Sequence, residues 1–211
     1  MILLFILFSR GQLRFIYRGI IKRLNSEITA LGLKRDLHTN FENPDTLIEL
    51  KVRLYKTSDS NHFTDENHNL GIVKENIQNC YVATNDEDTP CFRVWLMGNS
   101  QNQKIKSFFK GNFPILKKDE ALLESVFTLP KFRGKHIMPA AISMIAKKGT
   151  EINARYIMAF VDVKNIKSLK GFKHSGFYPY LLRKEKWFFF MKKVDFIDAP
   201  EELITKYKNL K

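Results

Sequence analysis

The stretch LPKFRGKHIMPAAI, residues 129–142, runs from a proline through spaced basic residues and one glycine into an apolar run with helical spacing. Backbone N–H groups in the first turn of a helix have no intrahelical partner, and the helix dipole adds partial positive charge there. A strand-to-helix turn of this kind therefore suits an anion. Gly134 lets a ligand approach the backbone closely, and Lys131, Arg133 and Lys135 add charge without blocking the turn if their side chains point outward. Pro139 has no N–H to give, but it costs little within the first helical residues. The physical expectation is a pyrophosphate site, although one glycine before a helix is a weak signal by itself.

Working outward, ALLESVFTL (121–129) reads as a strand that ends at Pro130, and the helical pattern from Ile137 closes near Lys148 at KKG. RYIMAFVDV (155–163) reads as a buried strand, NIKSLKGFKHSGF (165–177) as a helical segment stopped at Gly176, and KWFFFMKKV (186–194) as a final strand. Upstream, LIELKVRLY (47–55) alternates as a first strand, and NCYVAT (79–84) and CFRVWLMG (91–98) form an antiparallel hairpin across NDEDTP. Residues 59–77 and 99–119 read as variable loops. Strand, turn, helix, strand, helix, strand behind a hairpin predicts a mixed α/β sheet with helices packed on it. The Pro-containing break ENPDT (42–46) separates an N-terminal helical arm, residues 1–42, from a compact domain, residues 43–196. Residues 197–211 follow as a helical tail.

The chain has 211 residues and 44% hydrophobic content, enough for one core, and a formal charge of +13 that favours anionic partners. Two cysteines, Cys80 and Cys91, have no paired spacing, which argues against a disulfide scaffold or structural zinc and fits a reducing, cytoplasmic compartment. No metal ligand set is expected. The opening MILLFILF is too short to span a bilayer and lacks the basic region of a signal peptide. Arg10, Arg14, Arg18 and Lys22 then recur every fourth residue, with Leu13, Ile16, Ile20 and Leu24 on another arc. A helix with this pattern either lies on an anionic membrane, through residues 1–26, or packs its apolar face on the domain or on a second copy in a homodimer. The pattern alone leaves these open. Basic residues are scattered rather than interleaved with aromatics, so a nucleic-acid partner is not expected.

KFRGKHI followed about thirty residues later by NIKSLKGFKHSGF, with a strand between them, resembles the GCN5-related N-acetyltransferase superfamily, whose members bind acyl-coenzyme A. In that family a Gln or Arg, two residues, Gly, one residue and Gly or Ala form the pyrophosphate loop. The second motif is an Asn at the next strand's end, a small residue three on, a Tyr seven on and Gly-Phe at eleven and twelve. Asn165, Ser168, Gly176 and Phe177 stand at those offsets, and the likeness spans about residues 47–192.

The resemblance implies a central sheet of about six to seven strands with a splayed fourth and fifth strand, helices on both faces, and an added N-terminal amphipathic helix. It implies acetyl-coenzyme A, or another acyl-coenzyme A, as co-substrate and an amine as acceptor. The pyrophosphate would meet the backbone of Arg133, Gly134, Lys135, His136, Ile137 and Met138, with the pantetheine along Phe127, Thr128 and Leu129. Asn165, Ser168 and Phe172 would flank it, and Lys131 would add charge. An amide near Thr128 would stabilise the oxyanion. Glu124, on one face with Val126 and Thr128 by strand alternation, is the candidate base, ahead of Glu120 and Asp162. Tyr178 and His174 are candidates for the acid, with Tyr180 beside them.

Two departures stand out: His136 where the family has Gly or Ala, and Phe172 where it has the Tyr that protonates the departing thiolate in many relatives. They keep open a non-catalytic coenzyme A binding module, and the positive surface keeps open an aminoacyl-tRNA-dependent transferase of related fold.

Overall fold

The computed structural model describes residues 13–63, 72 and 77–210. Helix α1 (Leu13–Leu24) leads directly into strand β1 (Asn25–Asp36), followed by β2 (Lys51–Leu54), β3 (Cys80–Thr84) and β4 (Pro90–Gly98). Then come α2 (Asn102–Phe109), β5 (Glu120–Thr128), α3 (Ile137–Lys147), β6 (Tyr156–Asp162), α4 (Ile166–His174), β7 (Tyr178–Phe188), β8 (Met191–Asp198) and α5 (Glu201–Lys208). All eight strands form one sheet in the order β2-β3-β4-β5-β6-β1-β7-β8. Every neighbouring pair is antiparallel except β5 and β6, which run parallel and are joined through α3. The expected mixed α/β class holds, with eight strands in place of six to seven.

Period-2 alternation explains how one sheet carries two cores. Phe92, Val94 and Leu96 of β4 join Ala121 and Leu123 of β5 on one face, where Ala140, Ala141, Ile142 and Ile145 of α3 and Leu169 and Phe172 of α4 cover them. Trp95 and Met97 point the other way, with Leu122 and Met158, under Ile105 of α2. All nine residues of β4 are buried, as a strand covered on both faces requires. Helices on both faces follow from this division. Of the two cysteines, Cys91 is buried in the first core and Cys80 is partly exposed.

Two segments differ from the sequence reading. Within the described part of residues 1–42 the helix stops at Leu24; Asn25–Asp36 is a 12-residue strand between β6 and β7, paired with both. NSEITALGLKRD is rich in good helix formers and lacks clean alternation because its middle is buried on both faces, so pairing on two edges overrides local propensity. KWFFFMKKV is not one strand but the end of β7, a two-residue turn at Phe189 and Phe190, and the start of β8. The turn lacks the Asn-Gly signature that announces most such hairpins. MILLFILF lies outside the described residues, as do 64–71 and 73–76 of the polar stretch 59–77, whose beginning is a 3-10 turn at Thr57–His62.

Arg35 ties β1 to the helical layer. Its guanidinium is buried, donates to Ser143 Oγ of α3 at 3.0 Å and to the Ser175 carbonyl beyond α4 at 2.9 Å, and lies 4.8 Å from the Phe41 ring centroid. Replacing Arg35 with Leu leaves that carbonyl and hydroxyl short of a partner, so urea denaturation should show a loss of about 2–3 kcal/mol with the m-value unchanged.

Candidate functional site

β5 and β6 pair only from Glu120↔Tyr156 to Leu123↔Ala159, and then part. The cause lies two residues beyond the last pair. Ser125 has φ +57°, and the register against β4 slips there, from Trp95↔Glu124 to Arg93↔Phe127, so that Ser125 and Val126 together oppose Val94. An extra residue in one strand bends it and leaves a peptide out of the ladder. β5 keeps its partner β4 and swings away from β6. The resulting cleft has a volume of about 210 Å³ and is lined by residues 123–126 of β5, residues 159–162 of β6, and Asn165, Ser168 and Phe172. On this side the β5 backbone beyond Leu123 has no ladder partner among the described residues. The Thr128 carbonyl is taken by Arg133 Nε at 3.1 Å.

The turn after β5 closes one end of the cleft. Pro130–Phe132 form a 3-10 turn, Gly134 and His136 take φ +79° and +58°, and α3 starts at Ile137. The left-handed backbone at Gly134 requires a glycine, and the space above it is open: a Cβ there would meet nothing within 4 Å. His136 is exposed and makes no side-chain bond to the helix it precedes, so the first-turn amides of Ile137 and Met138 are not capped by its imidazole. The Lys135 carbonyl is held from behind by Leu47 N–H at 3.2 Å and Thr46 Oγ1 at 3.1 Å. The Lys131 and Lys135 ammonium groups lie 5.0 and 5.5 Å from the Phe132 ring centroid. Phe127 and Leu129 turn their side chains into a small cluster with Phe63 and Val82, so only their backbone follows the cleft edge.

On the other wall, Asn165 caps α4 by accepting from Ser168 N–H at 3.2 Å. Phe172 reaches the cleft with its ring but is buried against Phe177, centroids 5.1 Å apart and nearly perpendicular. Of the side chains expected to do chemistry, Glu124 lines the cleft. His174 and Tyr178 do not: both are exposed, at the far end of α4 and the start of β7. Tyr180 is turned into the second core, its hydroxyl 3.0 Å from Met158 Sδ, and burial lifts it well above the usual phenol range. Glu120 is bound to Lys34 at 3.1 Å and accepts Lys117 N–H, a structural carboxylate. Asp162 lines the cleft but accepts Lys164 N–H at 2.8 Å in the turn before α4.

Burial pushes the Glu124 carboxyl up to about 7, against the N–H and hydroxyl of Ser125 and the positive charge of Arg183, which pull it down. Arg183 of β7 is held by the Asn112 carbonyl at 3.1 Å and sandwiched near Phe113 and Phe160, centroids at 5.4 and 5.5 Å. Neither Arg183 nor the Ser125 bulge was legible in the sequence. A single Arg in YLLRKEKW looks like any strand charge, and a serine in left-handed backbone carries no glycine to announce it. Among the described residues no group of three or more His, Cys, Asp or Glu is placed to hold a metal ion. A broader depression of about 430 Å³ between residues 43–50 and α3 shares no lining residue with the cleft.

A family model described as acetyltransferase (GNAT) family matches residues 52–177, more than half of the chain. No curated protein matches the sequence. Among solved structures, the chain is similar to a GCN5-related glucosamine N-acetyltransferase region of a fungal multi-domain GH3 β-N-acetylglucosaminidase, with TM-score 0.59 and 13% identity over 84% of this chain and 22% of that one. It is similar to a GNAT-family acetyltransferase from Colwellia psychrerythraea, with TM-score 0.53 and 12% identity over 85% of this chain and 59% of that one. A GCN5-related N-acetyltransferase from Sphaerobacter thermophilus gives TM-score 0.52 and 11% identity over 81% and 56%. The chain thus spans less than two thirds of the length of these structures, and at these identities the likeness is one of fold.

A carboxyl that holds its proton more tightly folded than unfolded costs stability as pH rises from the ordinary 4.5 to about 7. Glu124→Gln, neutral throughout, should therefore gain about 3 kcal/mol over the natural protein at about pH 8 and almost nothing at about pH 4, compared by urea denaturation at the two pH values.

Proposed function

The chain belongs to the acetyltransferase (GNAT) family, and on that premise we propose that it is an acyl-coenzyme A dependent N-acyltransferase that moves an acetyl group to an amine by direct attack within a ternary complex. The observation that carries this reading is the join of three features at one cleft. These are a turn into a helix with uncapped first-turn amides, a strand edge without ladder partners, and a carboxyl that titrates near neutrality.

The fit of this chain to acyl-coenzyme A rests on the turn at 133–138. The open space above Gly134, the first-turn amides of α3 and the positive end of its dipole favour a pyrophosphate there, with the lysines as a diffuse supplement. His136 does not oppose this, since it is exposed. The thioester, when bound, supplies the activated acyl group. The amides of β5 that face the cleft are the donors available to an oxyanion, and they require no reorganisation when charge develops. Glu124 takes the proton that the attacking ammonium must lose, directly or through a water, so that a neutral nitrogen forms the new bond to the acyl carbon as the carbon–sulfur bond breaks. Its carboxyl near 7 is half ionised at neutral pH, matched to that role. The nitrogen, once bonded to the acyl carbon, gives its second proton to solvent, and with Phe172 sealed against Phe177 and no hydroxyl at that position the departing thiolate takes its proton from solvent. Coenzyme A is a good enough leaving group for this.

The buried Phe172 also favours a second reading, a coenzyme A binding module without turnover, and one experiment separates the two. Release of free thiol from acetyl-coenzyme A is followed over a panel of amines, beside calorimetric binding of coenzyme A. The enzyme reading predicts turnover whose kcat/KM rises through about pH 7, and a Glu124→Gln variant that loses on the order of 10²- to 10⁴-fold in rate with coenzyme A affinity unchanged. Tight binding without thiol release across the panel would establish the module instead. Gly134→Ala, forced into left-handed backbone, should weaken coenzyme A binding by about tenfold in either case.

A further inference from the structure

The β7–β8 hairpin turns through Phe189 and Phe190, with φ +43° and +63°, inside the flanking pair Phe188↔Met191. Both central residues are left-handed, a geometry that normally selects Asn-Gly because a bulky side chain crowds its own carbonyl there. Two phenylalanines are held in it by helix α1. Phe189 N–H donates to the Leu24 carbonyl at 3.0 Å and Phe190 N–H to the Arg23 carbonyl at 2.8 Å, which satisfies carbonyls that a helix end otherwise leaves open. The Arg23 guanidinium lies 5.9 Å from the Trp187 ring centroid. Hairpin tip and helix end are one unit.

What the unit presents is apolar. Phe188, Phe189, Phe190 and Met191 are 53%, 64%, 55% and 69% exposed, and Tyr17 and Ile21 of α1 are 65% and 45% exposed. Asn-Gly would fit the turn and dissolve better, so the residues present are poor on both counts for a merely structural turn. Cations collar the tip: Arg23 is exposed, Lys22 is exposed and 4.0 Å from the buried Glu185, Lys186 is exposed opposite Glu27 in the strand pair, and Lys193 is exposed and shared with Asp195 at 3.1 Å. Contiguous exposed aromatic and aliphatic side chains mark a contact surface, and a ring of lysines and arginines around them matches anionic headgroups above an acyl layer.

We propose that the Phe188–Met191 tip and helix α1 together form a wedge that docks on an anionic membrane surface. The tip enters the headgroup boundary while the basic collar meets the lipid charges, and the cleft faces are left free. This goes beyond the acyltransfer reading and does not depend on it. It also extends the contact from the N-terminal arm alone to a hairpin about 160 residues further along the chain.

Flotation of the full chain with phosphatidylcholine vesicles, with and without phosphatidylserine, tests it. The natural protein should bind the phosphatidylserine vesicles, severalfold more weakly at high salt and in their absence. Phe189→Asn/Phe190→Gly keeps both amides for the helix and suits the turn, so it should melt at a higher temperature yet partition about tenfold less or lower. Lys186→Gln, outside the turn, removes one collar charge without setting an acid opposite Glu27, and should weaken binding severalfold with the melting temperature little changed. Undiminished flotation of either variant overturns the proposal. So does a natural protein that ignores vesicles and sediments as a dimer dissolved by the double substitution, which would assign the tip to a second copy of the chain.

Discussion

Parallel strands β5 and β6 share hydrogen bonds over only four residue pairs, and the candidate site is arranged around the gap beyond them. Backbone groups deep in a protein must find partners. A sheet that opens between two central strands creates a row of groups that neither neighbour can satisfy. Two helices, α3 and α4, begin at the two strand ends that border this gap, so both first turns face the same side. A small extended ligand with acceptors along its length and an anion at one end answers all of these demands at once. The opening is made by one extra residue in β5, not by any large rearrangement, and ligand sites beside the carboxyl ends of parallel strands where connections diverge are a general outcome of such topology.

Electrostatics on the cleft floor balance in a narrow range. Burial alone would keep Glu124 protonated, while Arg183, three strands away in the sheet order, and the Ser125 amide restrain the shift so that the group titrates near neutrality. Arg183 is itself supported by Phe113 and Phe160 and by the Asn112 carbonyl, from the segment between α2 and β5. The segment between α2 and β5 therefore reaches the titrating group through the Arg183 guanidinium.

Much of the fold was legible because local signals agreed with the final pairing. The 79–98 hairpin, β5, α3, β6 and α4 each carry a regular apolar period and a turn residue at each end. The turn from β5 into α3 was legible for the same reason, since Gly134 is a glycine where the backbone is left-handed. Three things escaped. β1 reads as helix because a strand paired on both edges and covered on both faces needs no alternation and tolerates helix formers. The Phe189–Phe190 turn reads as strand because its backbone is dictated by contacts with α1, remote in sequence. The bulge and Arg183 are set by register and by neighbours three strands apart, which no window of sequence contains. The candidate acid groups are near Phe172 in sequence alone: His174 lies two residues past it, about 200° further round the same helix, and is exposed, as is Tyr178 at the start of β7.

The place of β1 has a consequence for how the protein is made. Ala30 pairs with Asp162, 132 residues later, and Leu31 with Leu182, so β1 has no sheet partner until β6, more than a hundred residues further on, has been synthesised. At ordinary translation rates of about 5–20 residues per second, that is a wait of roughly 7 to 26 seconds. During it both edges of β1 stay unpaired, the edge toward β6 until that strand arrives and the edge toward β7 for longer. Much of the ordering entropy must be met before these long-range contacts form, the regime in which sheets fold slowly and are vulnerable to misassociation. The architecture thus ties the integrity of the sheet's centre to strands made long after β1.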